Sequence, residues 1–334
     1  MAAKRLIWAD SLKGWLIILV VLGHAIQYTI GSESESNHLW SLIYSFHMPA
    51  FMAISGFLAN RNKSSMVKAF PWNKLYRRFR QLIVPFGLWT IVLLIVINSL
   101  NLESLVKYLL YPDKGLWFLW VLFFINLLFL FADWSARKLR VKSELVVLSL
   151  CMLLIILMAL FKISLFGLQL IAFYFLFYSL GYYMHKYYER AFTSSRYVII
   201  SLTIVWMVLG WFWHMHELPF FLKGYLIPEA IVIYAYRYLT ATLAIYILMS
   251  IAPTLIGKDN KWNLPFVRIG GVSLGIYATH LIMMSKIITM IREFNLSETV
   301  VIAISFICAL AISWLLVWLL SKWKVTSIWL LGKI

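Results

Sequence analysis

Four ionisable side chains lie deep inside apolar runs of this 334-residue sequence: His24, His47, Arg237 and His280. Ionisable groups are costly in hydrocarbon, so such residues are functional candidates that need partners or a wet cavity. Histidine exchanges a proton near neutral pH, and arginine holds a fixed positive charge. Taken singly, each histidine also fits a packing role and the arginine fits a bridge between helices. Together they predict a polar chamber inside the apolar part of the protein.

The first apolar run also carries an acid and a base at its start, Asp10 and Lys13. On a helix, the spacing from Lys13 to His24 is about three turns, so both side chains share one stripe about 16 Å apart. Asp10 lies close to the same stripe but about 21 Å from His24. We therefore expect Asp10 to pair with Lys13 or to position a ligand, because it cannot orient His24. A signal-anchor helix with a topogenic lysine is the alternative interpretation of this run.

These residues need elements to position them, and the composition predicts membrane-spanning helices. The chain is 63% hydrophobic and 13% charged, with a mean hydropathy of +0.86, which excludes an ordinary soluble globule. About ten apolar runs approach the roughly 17 to 25 residues that cross a hydrocarbon core. We predict an all-α polytopic membrane protein, one domain over residues 1–334, with transmembrane helices near 11–30, 39–59, 81–100, 115–132, 144–161, 165–184, 197–213, 229–251, 270–291 and 299–320.

The basic residues predict the orientation in the bilayer. The formal net charge of +17 comes from Lys and Arg clustered between apolar runs, a pattern of loops beside an anionic leaflet that argues against a nucleic-acid partner. With ten helices the clusters share one side, so the positive-inside rule predicts a multi-pass protein of the cytoplasmic (inner) membrane with both termini in the cytoplasm. The clusters lie at 4–13, 61–80, 137–142, 186–196, 258–268 and 322–333.

The two cysteines, Cys151 and Cys308, lie far apart in separate apolar runs. Their positions provide neither a disulfide framework nor the spacing of metal ligands. We therefore expect no metal cofactor.

Helix rise places the four buried groups at a similar depth. At about 1.5 Å per residue from the cytoplasmic face, His24 and His47 lie about 18 Å deep, His280 about 15 Å and Arg237 about 20 Å. The carboxylate of Glu229 lies about two turns from Arg237 and reaches it only through another helix or water. We therefore expect Arg237 to face the chamber.

Five segments, in order, resemble the integral-membrane acyltransferase 3 family, which includes bacterial O-acetyltransferases of surface polysaccharides and envelope glycans. The opening pattern is a basic residue followed by a histidine in the first helix, here Lys13 and His24. The other segments are a second-helix motif, a basic run entering the third helix, the start of the fourth helix and a late helix with a histidine: Phe46–Phe57, Lys74–Pro85, Leu116–Leu119 and Ser273–His280. Some relatives carry an extra helix and a soluble esterase-like domain; nothing here resembles these, and we expect the chain to act without them.

The resemblance implies transfer of an acyl group, most often acetyl, from cytoplasmic acyl-CoA to a hydroxyl of a surface glycan or lipid-linked sugar. His24 would deprotonate the acceptor hydroxyl as general base, or carry the acyl group as nucleophile. Arg237 is a candidate oxyanion stabiliser, since a fixed cation there could face the reacting carbonyl. His47 and His280 are candidate chamber residues.

The donor would be held by its phosphates at the cytoplasmic mouth. Arginine and lysine form charge-assisted hydrogen bonds to phosphate. The candidate donor-binding residues are therefore Lys13, with Asp10 beside it, and the run Arg77, Arg78 and Arg80. Topology determination alone would also explain this basic run.

Three other functions stay open from the residues. A transporter or flippase for a sugar-lipid or a small anionic solute would explain a polar chamber, although no internal repeat supports it. A structural subunit of an envelope complex would explain the aromatic-rich surface but not the aligned ionisable groups. A different membrane O-acyltransferase family also uses a buried histidine, but its sequence pattern does not match.

Overall fold

The computed structural model describes residues 6–61, 69–161, 165–187, 195–224, 227–257 and 261–333, and within these ranges the protein is helical without strands. The all-α prediction is confirmed. The α-helices are α1 Ile7–Ile30, α2 His38–Tyr44, α3 His47–Arg61, α4 Trp72–Val96, α5 Leu102–Leu110, α6 Trp117–Leu139, α7 Ser143–Phe161, α8 Leu168–Lys186, α9 Arg196–Trp211, α10 Glu229–Leu255, α11 Leu264–Gly271, α12 Ser273–Arg292, α13 Glu298–Leu320 and α14 Lys324–Trp329. Short 3-10 helices occupy Gly31–Ser36, Pro112–Lys114, Leu165–Gly167 and Phe220–Leu222.

Eight helical segments of the described ranges are long and apolar enough to cross a membrane: Ile7–Ser36, His38–Asn60, Trp72–Val96, Trp117–Leu139, Leu165–Lys186, Glu229–Leu255, Ser273–Arg292 and Glu298–Leu320. The other two predicted spans correspond to shorter apolar helical segments, Ser143–Met158 and Arg196–Trp211. A polytopic membrane protein is therefore confirmed. A count of ten and cytoplasmic termini stay predictions, and parts of the basic clusters, at 1–5, 62–68, 188–194 and 258–260, lie outside the described residues.

The predicted second span, 39–59, matches the apolar segment His38–Asn60, and the structure divides this segment into two helices. Helix α2 ends at Tyr44 and α3 begins at His47. Pro49 lies in the first turn of α3, where its missing N–H and fixed φ are tolerated and where it cannot continue a preceding helix. The break therefore places His47 at the start of a helix inside the apolar region.

The predicted ninth span, 270–291, also begins differently. A separate short helix, α11, ends at Gly271, and α12 starts at Ser273 after the non-helical residue Val272. His280 lies in the second turn of α12.

The chain forms two compact units. The first contains Met1–Ile54 and Tyr183–Trp314, and the second contains Ser55–Tyr182 and Leu315–Ile334. One functional domain over residues 1–334 stays a prediction.

In the first unit, α1 packs closely on α11 through two glycines. A Cβ atom on Gly14 would collide with the backbone carbonyl of Phe266, and one on Gly270 would collide with the backbone carbonyl of Asp10. Trp15 covers the contact by stacking on Phe266, with ring centroids 3.9 Å apart. Because backbone lies against backbone, the start of α1 has a fixed position in this unit.

In the second unit, a buried hydrogen-bond chain joins α6 and α8. The Tyr178 hydroxyl donates to Asn126 Oδ1 at 2.9 Å, and Asn126 Nδ2 donates to the Leu122 carbonyl at 2.7 Å. Trp89 of α4 donates from Nε1 to the Leu330 carbonyl at 2.9 Å, which ties α4 to the segment after α14. These bonds hold the helices that surround the basic cavity described below.

Candidate active site

Helix α1 carries the predicted basic residue and histidine on one continuous element. It runs unbroken from Ile7 to Ile30, so the predicted stripe from Lys13 to His24 is retained. Lys13 Nζ lies 2.6 Å from Asp10 Oδ1, which confirms the predicted ion pair. Lys13 and Asp10 thus form one nearly neutral unit at the beginning of the helix.

Three histidines from three helices converge in the first unit. The rings of His24 on α1 and His280 on α12 have centroids 5.2 Å apart. The ring centroid of Tyr44, at the end of α2, lies 4.8 Å from that of His47 and 6.2 Å from that of His24. The structure therefore brings together His24, His47 and His280, and it adds Tyr44 between two of them.

The hydrogen bonds of two histidines define their proton positions. His47 Nδ1 lies 2.7 Å from the Ile43 carbonyl, which also accepts from the Phe46 N–H at 3.3 Å. His280 Nδ1 lies 2.8 Å from the Tyr277 carbonyl. A carbonyl only accepts, so Nδ1 carries the hydrogen in both rings, and in the neutral form Nε2 keeps a lone pair.

His280 Nε2 is of particular interest. The His280 side chain is completely buried, and its Nε2 atom has no hydrogen-bond partner among the described residues. A buried acceptor without a donor is unfavourable by about 1 to 3 kcal/mol. A hydrogen-bond donor in contact with this nitrogen would relieve the cost, and the His24 ring lies beside it, with ring centroids 5.2 Å apart.

His24 is half-buried and meets a side-chain pair that the sequence analysis missed. Its Nδ1 lies 3.3 Å from the Tyr44 hydroxyl, which donates to Gln27 Oε1 at 2.6 Å. Gln27 is three residues after His24 on α1, and Tyr44 is three residues before His47. Their position within one turn of a predicted site histidine was the available signal.

A glycine lets Tyr44 approach α1. A Cβ atom on Gly23 would lie 2.8 Å from Tyr44 Cε2, closer than carbon atoms normally approach. Gly23, directly before His24, therefore supplies the space for the hydroxyl partner of the imidazole.

The guanidinium group of Arg237 packs against two aromatic rings, those of Tyr234 and Trp213. Its guanidinium carbon is 5.4 Å from the Tyr234 ring centroid and 5.9 Å from that of Trp213, within the range of cation–π contacts. Trp213 lies 6.3 Å from Trp40, and Trp40 stacks on Tyr44 at 3.9 Å. A chain of aromatic rings thus connects Arg237 to the histidine cluster.

The second unit contains a basic cavity of about 360 Å³. Lys74, Arg77 and Arg78 of α4 line it, and Arg78 Nη1 donates to Gln81 Oε1 at 3.2 Å. The opposite wall includes Asn126, Asp133, Tyr178 and Tyr182. Three cations facing one carboxylate make this cavity suited to an anionic group.

Arg80 has a different environment from the other two arginines. Its guanidinium carbon lies 5.9 Å from the Tyr76 ring centroid and 6.0 Å from that of Trp329. Residues 78 and 80 are about 200° apart around a helix, so they cannot point the same way. The predicted basic run is therefore divided between a cavity and an aromatic contact.

In the parts of the chain that the structure describes, no group of three His, Cys, Asp or Glu side chains is arranged to bind a metal ion. The histidine cluster itself offers imidazole, phenol and amide groups, which can transfer protons, attack as nucleophiles and form hydrogen bonds.

Comparison with known proteins decides the family. The sequence model of a family described as an acyltransferase domain matches residues 6–318. The chain belongs to this acyltransferase family. With its apolar helices, the protein is a multi-pass membrane acyltransferase, and an acyl donor is its co-substrate.

Two curated relatives carry the name nodulation protein NolL. The one from Sinorhizobium fredii is 41% identical over 91 residues, which cover 26% of this chain and 24% of the relative. The one from Mesorhizobium japonicum is 33% identical over 123 residues, covering 34% and 32% respectively. The chain thus matches only about a quarter to a third of the length of these relatives, and no solved structure matches it.

Proposed function

We propose that this membrane acyltransferase moves an acetyl group from acetyl-CoA to a hydroxyl of a surface glycan or lipid-linked sugar, with His24 at the reacting centre. The observation that carries the proposal is the convergence of His24, His47 and His280, with ring centroids of His24 and His280 5.2 Å apart. Such a group of imidazoles in an apolar bundle is costly unless it serves a ligand or a reaction.

In the direct mechanism, His24 accepts the proton of the acceptor hydroxyl while the hydroxyl oxygen attacks the carbonyl carbon of the thioester. The C–S bond then breaks, and the imidazolium returns the proton to the departing CoA thiolate. In the covalent alternative, the imidazole attacks the thioester first, CoA leaves, and the acceptor then takes the acyl group from the ring. Both routes yield an ester and CoA.

His47 and His280 are proposed as chamber residues. The Nε2 lone pair of His280 can accept a hydrogen bond from the acceptor hydroxyl or from an amide of the donor. Arg237 is proposed to stabilise the oxyanion of the tetrahedral intermediate, since it carries a fixed positive charge in the unit that contains the histidine cluster, where its guanidinium lies against the Tyr234 and Trp213 rings.

The donor's phosphates are proposed to bind in the basic cavity of the second unit. Arg77 and Arg78 line it together with Lys74, and guanidinium groups match phosphate geometry. Arg80, and Lys13 with Asp10 in the first unit, stay donor-binding candidates from the family resemblance.

The acceptor class also rests on the family resemblance. The name of the relatives refers to nodulation and contains no substrate. The proposed location is the cytoplasmic (inner) membrane, where acyl-CoA is available on one side and envelope sugars on the other.

The test uses the purified protein in liposomes with acetyl-labelled acetyl-CoA. CoA release and transfer of label are measured with and without lipid-linked sugars and glycan fragments as acceptors. The proposal predicts acceptor-dependent CoA release and label in the acceptor. A stoichiometric burst of CoA without acceptor would identify the covalent route. Absence of label transfer from acetyl-CoA across the panel, in protein that transfers from another acyl donor, would contradict the proposed donor.

A further inference from the structure

Tyr44 and Gln27 form a hydrogen-bonded pair beside His24. The Tyr44 hydroxyl and Gln27 Oε1 are 2.6 Å apart, the shorter of the two contacts of this hydroxyl given above. An amide oxygen has no hydrogen, so the tyrosine must donate in this contact. A phenol has one hydrogen, and this bond uses it.

The contact between Tyr44 and His24 then has only one possible direction. Because its hydrogen points to Gln27, the Tyr44 oxygen can only accept from His24 Nδ1, which lies 3.3 Å away. Nδ1 must therefore carry the hydrogen of the neutral ring. His24 Nε2 is left with the lone pair, and this is the nitrogen that can act as base or nucleophile.

The surrounding packing makes this arrangement rigid. Trp40 stacks on the Tyr44 ring at 3.9 Å, and His47 packs against it at 4.8 Å. Gly23 provides the space in which the ring lies against α1. The phenol therefore has little freedom to turn its oxygen away from His24 and Gln27.

We propose that Gln27 and Tyr44 are positioning residues that hold His24 in the tautomer with hydrogen on Nδ1, and so present Nε2 to the reacting group. This inference rests on the proposed role of His24. We call the hydrogen bonds from His24 Nδ1 to Tyr44 and from Tyr44 to Gln27 the relay. Gln27 determines its direction, because its carbonyl oxygen takes the only hydrogen of the Tyr44 hydroxyl.

The relay predicts an unusual order among three variants. In Tyr44→Phe, Nδ1 loses its bond to the phenol oxygen but is not forced to lose its hydrogen, so we expect kcat to fall by roughly tenfold. In Gln27→Met, the phenol is released from Gln27 and donates to Nδ1, which moves the ring hydrogen to Nε2; we expect a loss of about 100-fold or more, within the usual range for general acid–base catalysis.

The double variant separates the relay from ordinary packing. When Tyr44→Phe is added to Gln27→Met, the phenol that donates to Nδ1 and so places the ring hydrogen on Nε2 is gone. The double variant Tyr44→Phe/Gln27→Met should therefore be more active than Gln27→Met alone. If the two substitutions only disturbed packing independently, their losses of activity would add, and the double variant would be less active than either single variant. The matched control Ser45→Ala, which loses only a local bond to the Leu42 carbonyl, should behave as wild type.

The experiment measures kcat and donor KM for these variants in liposomes and the His24 tautomer by NMR of ring-labelled protein, with His24→Asn identifying the signal. We expect hydrogen on Nδ1 in the wild type and on Nε2 in Gln27→Met, with changes in kcat rather than donor KM. Hydrogen on Nε2 in the wild type, or a double variant no better than Gln27→Met, would overturn the relay. Full turnover by His24→Ala would instead overturn the proposed function, whatever the tautomer.

Discussion

Each imidazole of the histidine cluster uses Nδ1 for a structural hydrogen bond and keeps Nε2 for another partner. His47 and His280 bond to backbone carbonyls, whereas His24 bonds to a side chain. A hydrogen bond to a backbone carbonyl fixes the tautomer of an imidazole without the help of another side chain. The side-chain bond of His24 makes its tautomer depend on two further residues, which suits the residue proposed to react.

The division of the basic run gives a prediction at the residue scale. Arg78→Ala removes a cation from the basic cavity, so we expect the KM for acetyl-CoA to rise by about tenfold with a smaller change in kcat. Arg80 lies beside Tyr76 and Trp329 rather than in the cavity, so Arg80→Ala is the matched variant and should raise donor KM less than Arg78→Ala does. Steady-state kinetics over a range of acetyl-CoA concentrations measures both. Equal increases in KM, or none in either variant, would contradict phosphate binding in this cavity.

Arg237 is tested by a change that keeps its charge. Arg237→Lys loses the planar fork and the stacking of a guanidinium on aromatic rings. If this group stabilises the oxyanion, kcat should fall by about tenfold, a loss of about 1.4 kcal/mol, with little change in donor KM. Full kcat in Arg237→Lys and in Arg237→Gln would show that the arginine only joins helices.

The sequence allowed prediction of the histidines more readily than of their partners. An ionisable residue in an apolar run is conspicuous, and helix rise placed His24, His47 and His280 at one depth. Tyr44 and Gln27 are ordinary polar residues of a membrane helix, and their meeting depends on how α1 and α2 pack. The split between Arg78 and Arg80 was predictable, since 200° of helix rotation separates them.

At the scale of elements, close helix packing positions the site. Helix α1 carries Asp10, Lys13, His24 and Gln27, and its contact with α11 depends on Gly14 and Gly270. Apolar helices in lipid have no hydrophobic drive to associate with each other, so small residues that permit close approach contribute much of the packing. A shift of α1 would move the whole stripe.

A glycine substitution tests this contact. A methyl group at Gly270 would collide with the Asp10 carbonyl, which is backbone and cannot rotate away. We expect Gly270→Ala to destabilise the protein by about 1 to 3 kcal/mol and to lower activity. Gly87 on α4 is the matched control, because a Cβ there meets nothing within 4 Å, and Gly87→Ala should be neutral or slightly stabilising.

Thermal unfolding in detergent with parallel activity measurements compares the two variants. If Gly270→Ala were as stable and as active as Gly87→Ala, the close contact between α1 and α11 would not position the site.

Helix breaks were the elements hardest to predict. The run 39–59 is apolar throughout, so hydropathy indicated one span, although Pro49 marked the place where a helix could begin anew. His47 is the first residue of the helix after the break, and its Nδ1 lies 2.7 Å from the carbonyl of Ile43 before the break. In contrast, most other helix ends differ from the predicted ones by only a few residues, because long apolar runs define them well.

At the scale of the whole molecule, the prediction still to be tested is the orientation. The positive-inside rule places both termini in the cytoplasm, so the segment around Ser32 should face outward and that around Lys142 inward. Both residues are exposed, and they can be changed singly to cysteine after Cys151→Ala and Cys308→Ala. An impermeant maleimide should label Ser32→Cys in intact cells or spheroplasts, and Lys142→Cys only after permeabilisation. The reverse pattern would invert the orientation and the proposed direction of transfer.

Family membership covers residues 6–318, whereas the curated relatives match only a part of the chain. The family therefore establishes the reaction class, and the residues that perform it must be tested in this protein. His24 lies at the centre of that question, because the opening pattern, the histidine cluster and the Tyr44–Gln27 pair all meet there.

The most direct measurement is acetyl transfer by His24→Ala in liposomes, beside the matched variant His216→Ala. His216 is an exposed histidine that pairs with Glu35, so its loss should leave transfer within about twofold of wild type. Loss of a general base or nucleophile should lower kcat for His24→Ala by at least about 100-fold, with insertion and thermal unfolding unchanged. Transfer by folded His24→Ala at the rate of His216→Ala would contradict a reaction centred on His24.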